Sequence, residues 1–232
     1  EGFEVRTVAT GERAERLRRE TLFVNGQPLE LEVFDPSSGA EVGRPADLVI
    51  VAVKQHHLAE ALEDLRPLVG PDTVFLSVLN GLDSEPVIAE AFSPEQVLFC
   101  IALGMDGNRN GSKVHFGNAG RLTFGEAHNE PASAAVIRVQ VALDQAGLVW
   151  ETPVDMRRSM WWKFMANVGV NQASALCRAP YAVMHTSEHA RTLMLSLIDE
   201  VVTLSQLEGV NLGGADVERW LAVLDGLNPA GK

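Results

Sequence analysis

The chain has 232 residues, 46% of them hydrophobic and 22% charged, and a formal net charge of −12. That length allows one large or two ordinary domains with a sizeable core, and the composition is that of a globular protein. The acidic balance argues against nucleic acid or an anionic membrane surface as a main partner, because both call for a cationic face; a small anion needs only a local cationic pocket.

No stretch approaches the roughly 18 apolar residues of a membrane span, and none reads as a secretory signal. Cys100 and Cys177 lie far apart, each in an apolar context. They read as buried free thiols in a reducing cytosol, which makes the expected location cytoplasmic. The opening EGFEVRTVAT has no initiator methionine and the close LDGLNPAGK ends on turn residues, so residues are expected to be missing beyond Glu1 and Lys232.

In chain order, Phe3 to Val8 reads as a short strand and GERAERLRRE as a charged surface helix. LFVNGQPLELEVFD carries an Asn25-Gly26 turn signal and an alternation at Leu29, Leu31 and Val33, which predicts a hairpin-like pair. ADLVIVAVK (46–54) is a near-continuous aliphatic run, the pattern of a parallel strand buried on both faces. In the next segment Leu58, Leu62, Leu65 and Val69 mark one face of a helix. TVFLSVLNG repeats the strand-and-turn pattern before a helical SEPVIAEAF, and VLFCIALGM adds another buried strand. VHFGNAGRLTFGE predicts a hairpin turning at 118–120, PASAAVIRVQVALDQAG a helix and LVWETPVD a last strand. From Pro153 onward only helices are signalled, with Asp155 as a cap and further helices over 188–208 and 216–224. The expected architecture is α/β: a Rossmann-like doubly wound parallel sheet over 1–153, followed by an all-helical domain over 154–232.

WWKFMANVGVNQAS (161–174) poses the main question, because this apolar segment carries Lys163, Asn167 and Asn171 at a spacing of four. On an α-helix such steps nearly return to one azimuth, drifting about 40° each time, so the three side chains form one stripe. Burying them unpaired would cost several kcal/mol, which argues that they line a cleft and meet a polar ligand there. A lone mid-helix asparagine can equally face solvent or bond a neighbour. A partly desolvated lysine tends toward a lowered pKa, which suits a general acid.

Lys54 and Asn80 end two predicted parallel strands, where open α/β sheets bind ligands. Taken singly, Lys54 reads as a solvated strand end and Asn80 as a turn former. His56 and His57 sit at a helix start, toward the crevice rim or in solvent. His185 and His189 lack a third ligand, so no metal site is expected. GNAGRLTFG falls in the predicted hairpin and is no phosphate loop, and the chain has no complete G-x-G-x-x-G.

The succession VKQHHLAEAL, LNGLDSEPVIAEAF and WWKFMANVGVNQASAL resembles the ketopantoate reductases (2-dehydropantoate 2-reductases) across nearly the whole chain. Its most specific part is K-x-x-x-N-x-x-x-N. The resemblance implies an N-terminal Rossmann domain binding NADPH, a helical C-terminal domain, and an active site in the cleft between them. It implies reduction of the 2-oxo group of ketopantoate to pantoate, on the way to pantothenate and coenzyme A. By the same resemblance Lys163 is the proton donor to the carbonyl oxygen, Asn167 and Asn171 hold the substrate, Asn80 stands where cofactor and substrate meet, and Lys54 lies near the cofactor.

Departures from the family pattern carry expectations of their own. The family's first strand and glycine loop would precede Glu1, and its completing serine and glutamate would follow Lys232, so the chain as it stands is not expected to be a competent reductase. Where the family has an arginine for the 2′-phosphate of NADP, this chain has Thr10, with Arg6 and Arg13 as stand-ins, which keeps NAD open beside NADPH. Tyr181 stands where the family often has a substrate-contacting asparagine. The rivals are therefore a reductase of another 2-oxo acid and a catalytically silent nucleotide-binding relative. The apolar C-terminal helices would suit a homodimer.

Overall fold

The computed structural model describes residues 2–39, 41–227 and 229–230, so the expectations placed on Glu1 and Lys232 lie outside the described residues. Two units form: one holds the chain up to Leu79 and again from Asp83 to Val154, the other holds Asn80–Leu82 and the chain from Asp155 onward.

The first unit begins with β1 (Arg6–Val8) and α1 (Gly11–Arg19). Glu12 in the first turn of α1 and Arg16, Arg18 and Arg19 in its last turn complement the helix dipole, while only Ala14 is buried, as a surface helix requires. β2 (Leu22–Val24) and β3 (Gln27–Leu29) pair antiparallel around Asn25 and Gly26, whose φ values of 47° and 82° are those the Asn-Gly signal calls for. The alternation read through Leu29 and Val33 does not make one strand. β4 (Glu32–Phe34) leaves the hairpin and pairs parallel with β1.

β5 (Leu48–Val51), α2 (Leu58–Leu65), β6 (Val74–Ser77), α3 (Ser84–Ala91) and β7 (Val97–Leu103) follow as alternating strand and helix. β8 (Asn108–Asn110), β9 (Lys113–His115), β10 (Arg121–Gly125), α4 (Ala134–Gln145) and β11 (Trp150–Glu151) complete the unit. The main sheet runs β11-β10-β7-β6-β5; β5, β6 and β7 are parallel, β10 is antiparallel to β7, and β11 is parallel to β10. Side chains alternate between two cores. Phe75 joins Leu58, Leu62, Leu65 and Ile88 from α2 and α3, whereas Val74 and Leu76 join Val136, Val139 and Leu143 from α4. Helices thus cover both faces, the doubly wound arrangement.

Among the described residues β5 ends the sheet, with Val49 and Val51 buried and Ile50, on the face shared with Leu76, 49% exposed. Two expectations need correction. The turn at 118–120 does not close a hairpin: β10 is recruited by β7, while β9 pairs with β8 and β2 in a separate sheet, where Gly111 at φ 59° serves the turn between β8 and β9. Cys177 is exposed rather than buried; Cys100 is buried in β7.

In the second unit α5 (Met156–Ala166) is capped by Asp155, whose carboxylate accepts the Arg158 N–H at 2.8 Å. A π-helical segment, Asn167–Gln172, continues α5 into α6 (Ala173–Cys177). α7 (Ala182–Thr186), α8 (Glu188–Leu207) and α9 (Gly214–Asp225) follow. Trp161, Met165, Val170, Met194, Ile198 and Trp220 are among the residues of its core. Asp216 ties α9 to α5: its carboxylate accepts the Gly213 N–H at 2.9 Å and the Arg158 guanidinium at 2.7 Å, and its carbonyl accepts the Trp162 indole N–H. Among the described residues no helix is long and apolar enough to cross a membrane.

Candidate active site

The polar stripe lies on the side of α5 and its π continuation opposite the core. Met160, Trp161, Met165, Ala166 and Val170 are buried; Lys163 and Asn167 are half-buried and Asn171 is exposed. The single α-helix expected there is instead interrupted by the π segment. A π turn is wider, so a step of four falls short of a full turn where in an α-helix it overshoots. The step from Asn167 to Asn171 therefore opposes the drift of the step from Lys163 to Asn167, and the stripe runs straighter than an α-helix would allow.

Gly169 is what lets the wider turn pack. A Cβ there would lie 2.5 Å from Ile198 Cγ1 on α8, closer than real carbon contacts come. A glycine inside a helix costs about 1 kcal/mol relative to alanine, which this close approach explains.

The carboxamides are joined in one direction. Asn171 Nδ2 donates to Asn167 Oδ1 at 3.2 Å, and Asn167 Nδ2 reaches Asn80 Oδ1 at 3.5 Å. Asn80 belongs to this unit although it follows β6 in sequence, since the segment Asn80–Leu82 clusters with the helices and Leu82 packs on their core. Tyr181 supplies the far end, its hydroxyl donating to Asn171 Oδ1 at 2.8 Å. Burial raises the Tyr181 phenol above its ordinary pKa, so it keeps its proton at neutral pH. The chain reverses to bring Tyr181 back at Arg178, which takes a left-handed conformation (φ 51°), while Ser174 both donates its hydroxyl to the Ala179 carbonyl and accepts the Ala179 N–H on its own carbonyl.

The stripe thus sets one lysine in register with a run of carboxamides, groups suited to a carboxylate and to a carbonyl oxygen on which negative charge develops. Lys163, Asn167, Asn171 and Asn80 share one unit, as sequence spacing alone could not show for Asn80. Lys54 lies in the other unit, exposed just beyond β5, and His56 and His57 follow it, exposed, with ring centroids 4.2 Å apart. Arg6 is engaged by Glu4 and Glu32, and the Thr10 hydroxyl donates to Asp64, whereas Arg13 is exposed on α1. His185 pairs with Asp225 at 3.3 Å, and no cluster of three His, Cys, Asp or Glu side chains able to hold a metal occurs among the described residues.

Sequence reasoning missed three features. The π segment has no periodicity signal of its own beyond a glycine between two valines. The Tyr181–Asn171 bond depends on the reversal at Arg178. Glu85 reads as an ordinary helix-start acid, yet it is 3% exposed; burial foremost holds its carboxyl above the usual range, against the pull of the Ser84 hydroxyl and of backbone groups of Glu85 and Cys100.

A Rossmann-like α/β unit followed by a helical unit is a two-part fold shared with nicotinamide-dependent dehydrogenases: a D-mandelate dehydrogenase solved with NADH and anilino(oxo)acetate superposes with a TM-score of 0.81 at 20% identity, covering 99% of this chain and 74% of that one. The family follows from sequence. The profile of ketopantoate reductase PanE/ApbA matches residues 1–129, that of its C-terminal part matches 155–230, and the chain belongs to this family. A 2-dehydropantoate 2-reductase of Streptococcus pyogenes serotype M3 is 24% identical over 195 residues, 84% of this chain and 62% of the relative, so the chain spans under two thirds of that relative's length. The crystal structure of the 2-dehydropantoate 2-reductase of Geobacter metallireducens GS-15 superposes with a TM-score of 0.77 at 24% identity, covering 91% of this chain and 71% of that one.

Proposed function

We propose that this chain is the greater part of a cytoplasmic reductase that converts 2-dehydropantoate to pantoate with NADPH. The observation that carries the reading is the hydrogen-bonded run from Asn171 through Asn167 to Asn80, in register with Lys163 on the same helical stripe. A nicotinamide cofactor, when bound, would supply the hydride that the carbonyl carbon takes up. Lys163 gives its proton to the carbonyl oxygen as negative charge grows there, and the product is the 2-hydroxy acid. Asn167 and Asn171 hold the substrate so that its oxo group faces Lys163, and Asn80 joins them at the end of the run.

In the first unit, Lys54 and Arg13 are the exposed cations placed to take an anionic cofactor: Lys54 beyond the carboxyl end of β5, Arg13 in α1 just after β1. Arg6 is already committed to two carboxylates, which leaves Arg13 as the candidate for a 2′-phosphate. The NADH held by the D-mandelate dehydrogenase of like fold supports a nicotinamide dinucleotide as the cofactor class.

The test is oxidation of NADPH by the full-length gene product on adding 2-dehydropantoate. Turnover is expected, and Lys163→Ala should lower it by at least about a hundredfold, the usual cost of losing a general acid. Activity near wild type in that variant would remove the mechanism. A second reading, a reductase of a different 2-oxo acid, is favoured by Tyr181 at the end of the run; turnover of another 2-oxo acid in place of 2-dehydropantoate would select it.

A further inference from the structure

We propose that Tyr181 is a positioning residue that anchors the Asn171 carboxamide, and through it Asn167, within the amide run. This inference rests on the reading of the stripe as the substrate-binding wall of a 2-oxo acid reductase.

The Tyr181 phenol has one hydrogen, and it goes to Asn171 Oδ1 at 2.8 Å. With that oxygen fixed toward Tyr181, the Asn171 amide nitrogen faces Asn167, whose carbonyl accepts at 3.2 Å. Asn167 is oriented in turn, and its nitrogen faces the Asn80 carbonyl at 3.5 Å. Every carboxamide oxygen of the run therefore already accepts a hydrogen bond from within it. Each carboxamide nitrogen carries two hydrogens and spends one or none on the run. The run still offers a ligand N–H groups, and the second lone pair of each oxygen, on the stripe that carries Lys163.

A phenol can donate or accept, so what Tyr181 contributes is a fixed partner for the Asn171 carboxamide. Tyr181 is itself held: its ring packs on the core of the second unit, and the turn that delivers it is clasped by Ser174, which is 4% exposed. The left-handed Arg178 in that turn costs about 1–2 kcal/mol, a strain that the placement of Tyr181 accounts for.

The experiment compares four forms of the full-length protein: wild type, Tyr181→Phe, Asn171→Ala and the double variant, with 2-dehydropantoate as substrate. Phenylalanine keeps the packed ring, so the fold should persist and only the hydroxyl is lost. Tyr181→Phe is expected to raise KM about tenfold, the worth of one hydrogen bond at a site, with kcat within about threefold. In the Asn171→Ala background the same change should add nothing, because the residue through which Tyr181 acts is gone. An unchanged KM, or an equal factor in both backgrounds, would overturn the proposal and leave the reductase reading standing. Absence of turnover in wild type would instead sink that reading. Positioning is then decided in the free protein by the side-chain amide resonances of Asn171 and Asn167: both should shift in Tyr181→Phe, and a shift in neither overturns the inference.

Discussion

Gly169→Ala tests whether the straightened stripe depends on the close approach of the π segment to α8. The added Cβ would sit 2.5 Å from Ile198 Cγ1, 2.9 Å from Ile198 Cδ1 and 3.6 Å from the Met194 carbonyl oxygen. Ile198 is 1% exposed, so it has little room to yield. Overpacking of this kind costs about 1–3 kcal/mol. Alanine is favoured over glycine inside a helix by about 1 kcal/mol, which offsets part of that, so the expected net loss is about 1 kcal/mol. Ile198→Ala removes both contacting carbons and on its own costs about 2–5 kcal/mol. In that background the clash is gone and the helical preference remains, so Gly169→Ala should stabilise by about 1 kcal/mol. The assay is urea unfolding followed by tryptophan emission, which weights the second unit because Trp161, Trp162 and Trp220 lie there and Trp150 lies in the first. The reversal of sign is the diagnostic result. Equal destabilisation in both backgrounds would refute the packing account of Gly169.

Two further outcomes follow from the same geometry. Asn167 accepts from Asn171 and donates to Asn80, so Asn167→Ala interrupts the run and should lower kcat/KM for the 2-oxo acid by about tenfold or more, mainly through KM; an unchanged specificity constant would refute its role. Glu85 has a folded-state pKa above the ordinary 4.5, chiefly through burial. The folded state then keeps a proton that the unfolded chain has released, so the contribution of Glu85 is whole below the unfolded value and is lost as pH rises through the folded one. Glu85→Gln removes that dependence, and its stability relative to wild type should climb as pH rises above the ordinary carboxyl value of 4.5; a difference that stays constant as pH rises would contradict the account.

The readable parts of the fold were those in which one periodicity served one core. Leu58, Leu62 and Leu65 marked the buried face of α2, and the run at Val74–Ser77 is buried on both faces because helices lie on each side of a central strand. The aliphatic run at β5 was readable in the same way, with Val49 and Val51 buried. The false hairpin at 118–120 shows where a local signal stops short. A turn signal shows that the chain changes direction there, and the partner of each flanking strand is settled by longer-range packing. Leu122 and Phe124 are drawn to the core under α4, which puts β10 against β7, while β9 pairs with β8 and β2.

The site divides along the same line. Lys163, Asn167 and Asn171 were legible because a polar stripe on an apolar helix is a local contradiction, and a spacing of four survives the change from α to π. Asn80 was legible only as a strand-end turn residue; its joining the helical unit follows from Leu82 packing among residues that come more than seventy positions later. Tyr181 depends on the least legible step of all, one residue in a left-handed conformation. Arg178 is not a glycine, so the sequence marks a helix end through Pro180 but not the left-handed reversal, which is held by the clasp of Ser174 and Ala179 and by the Arg178 N–H on the Ala175 carbonyl. The stripe was legible in its spacing, whereas the Tyr181 hydroxyl reaches Asn171 through a reversal at Arg178 that the spacing does not announce.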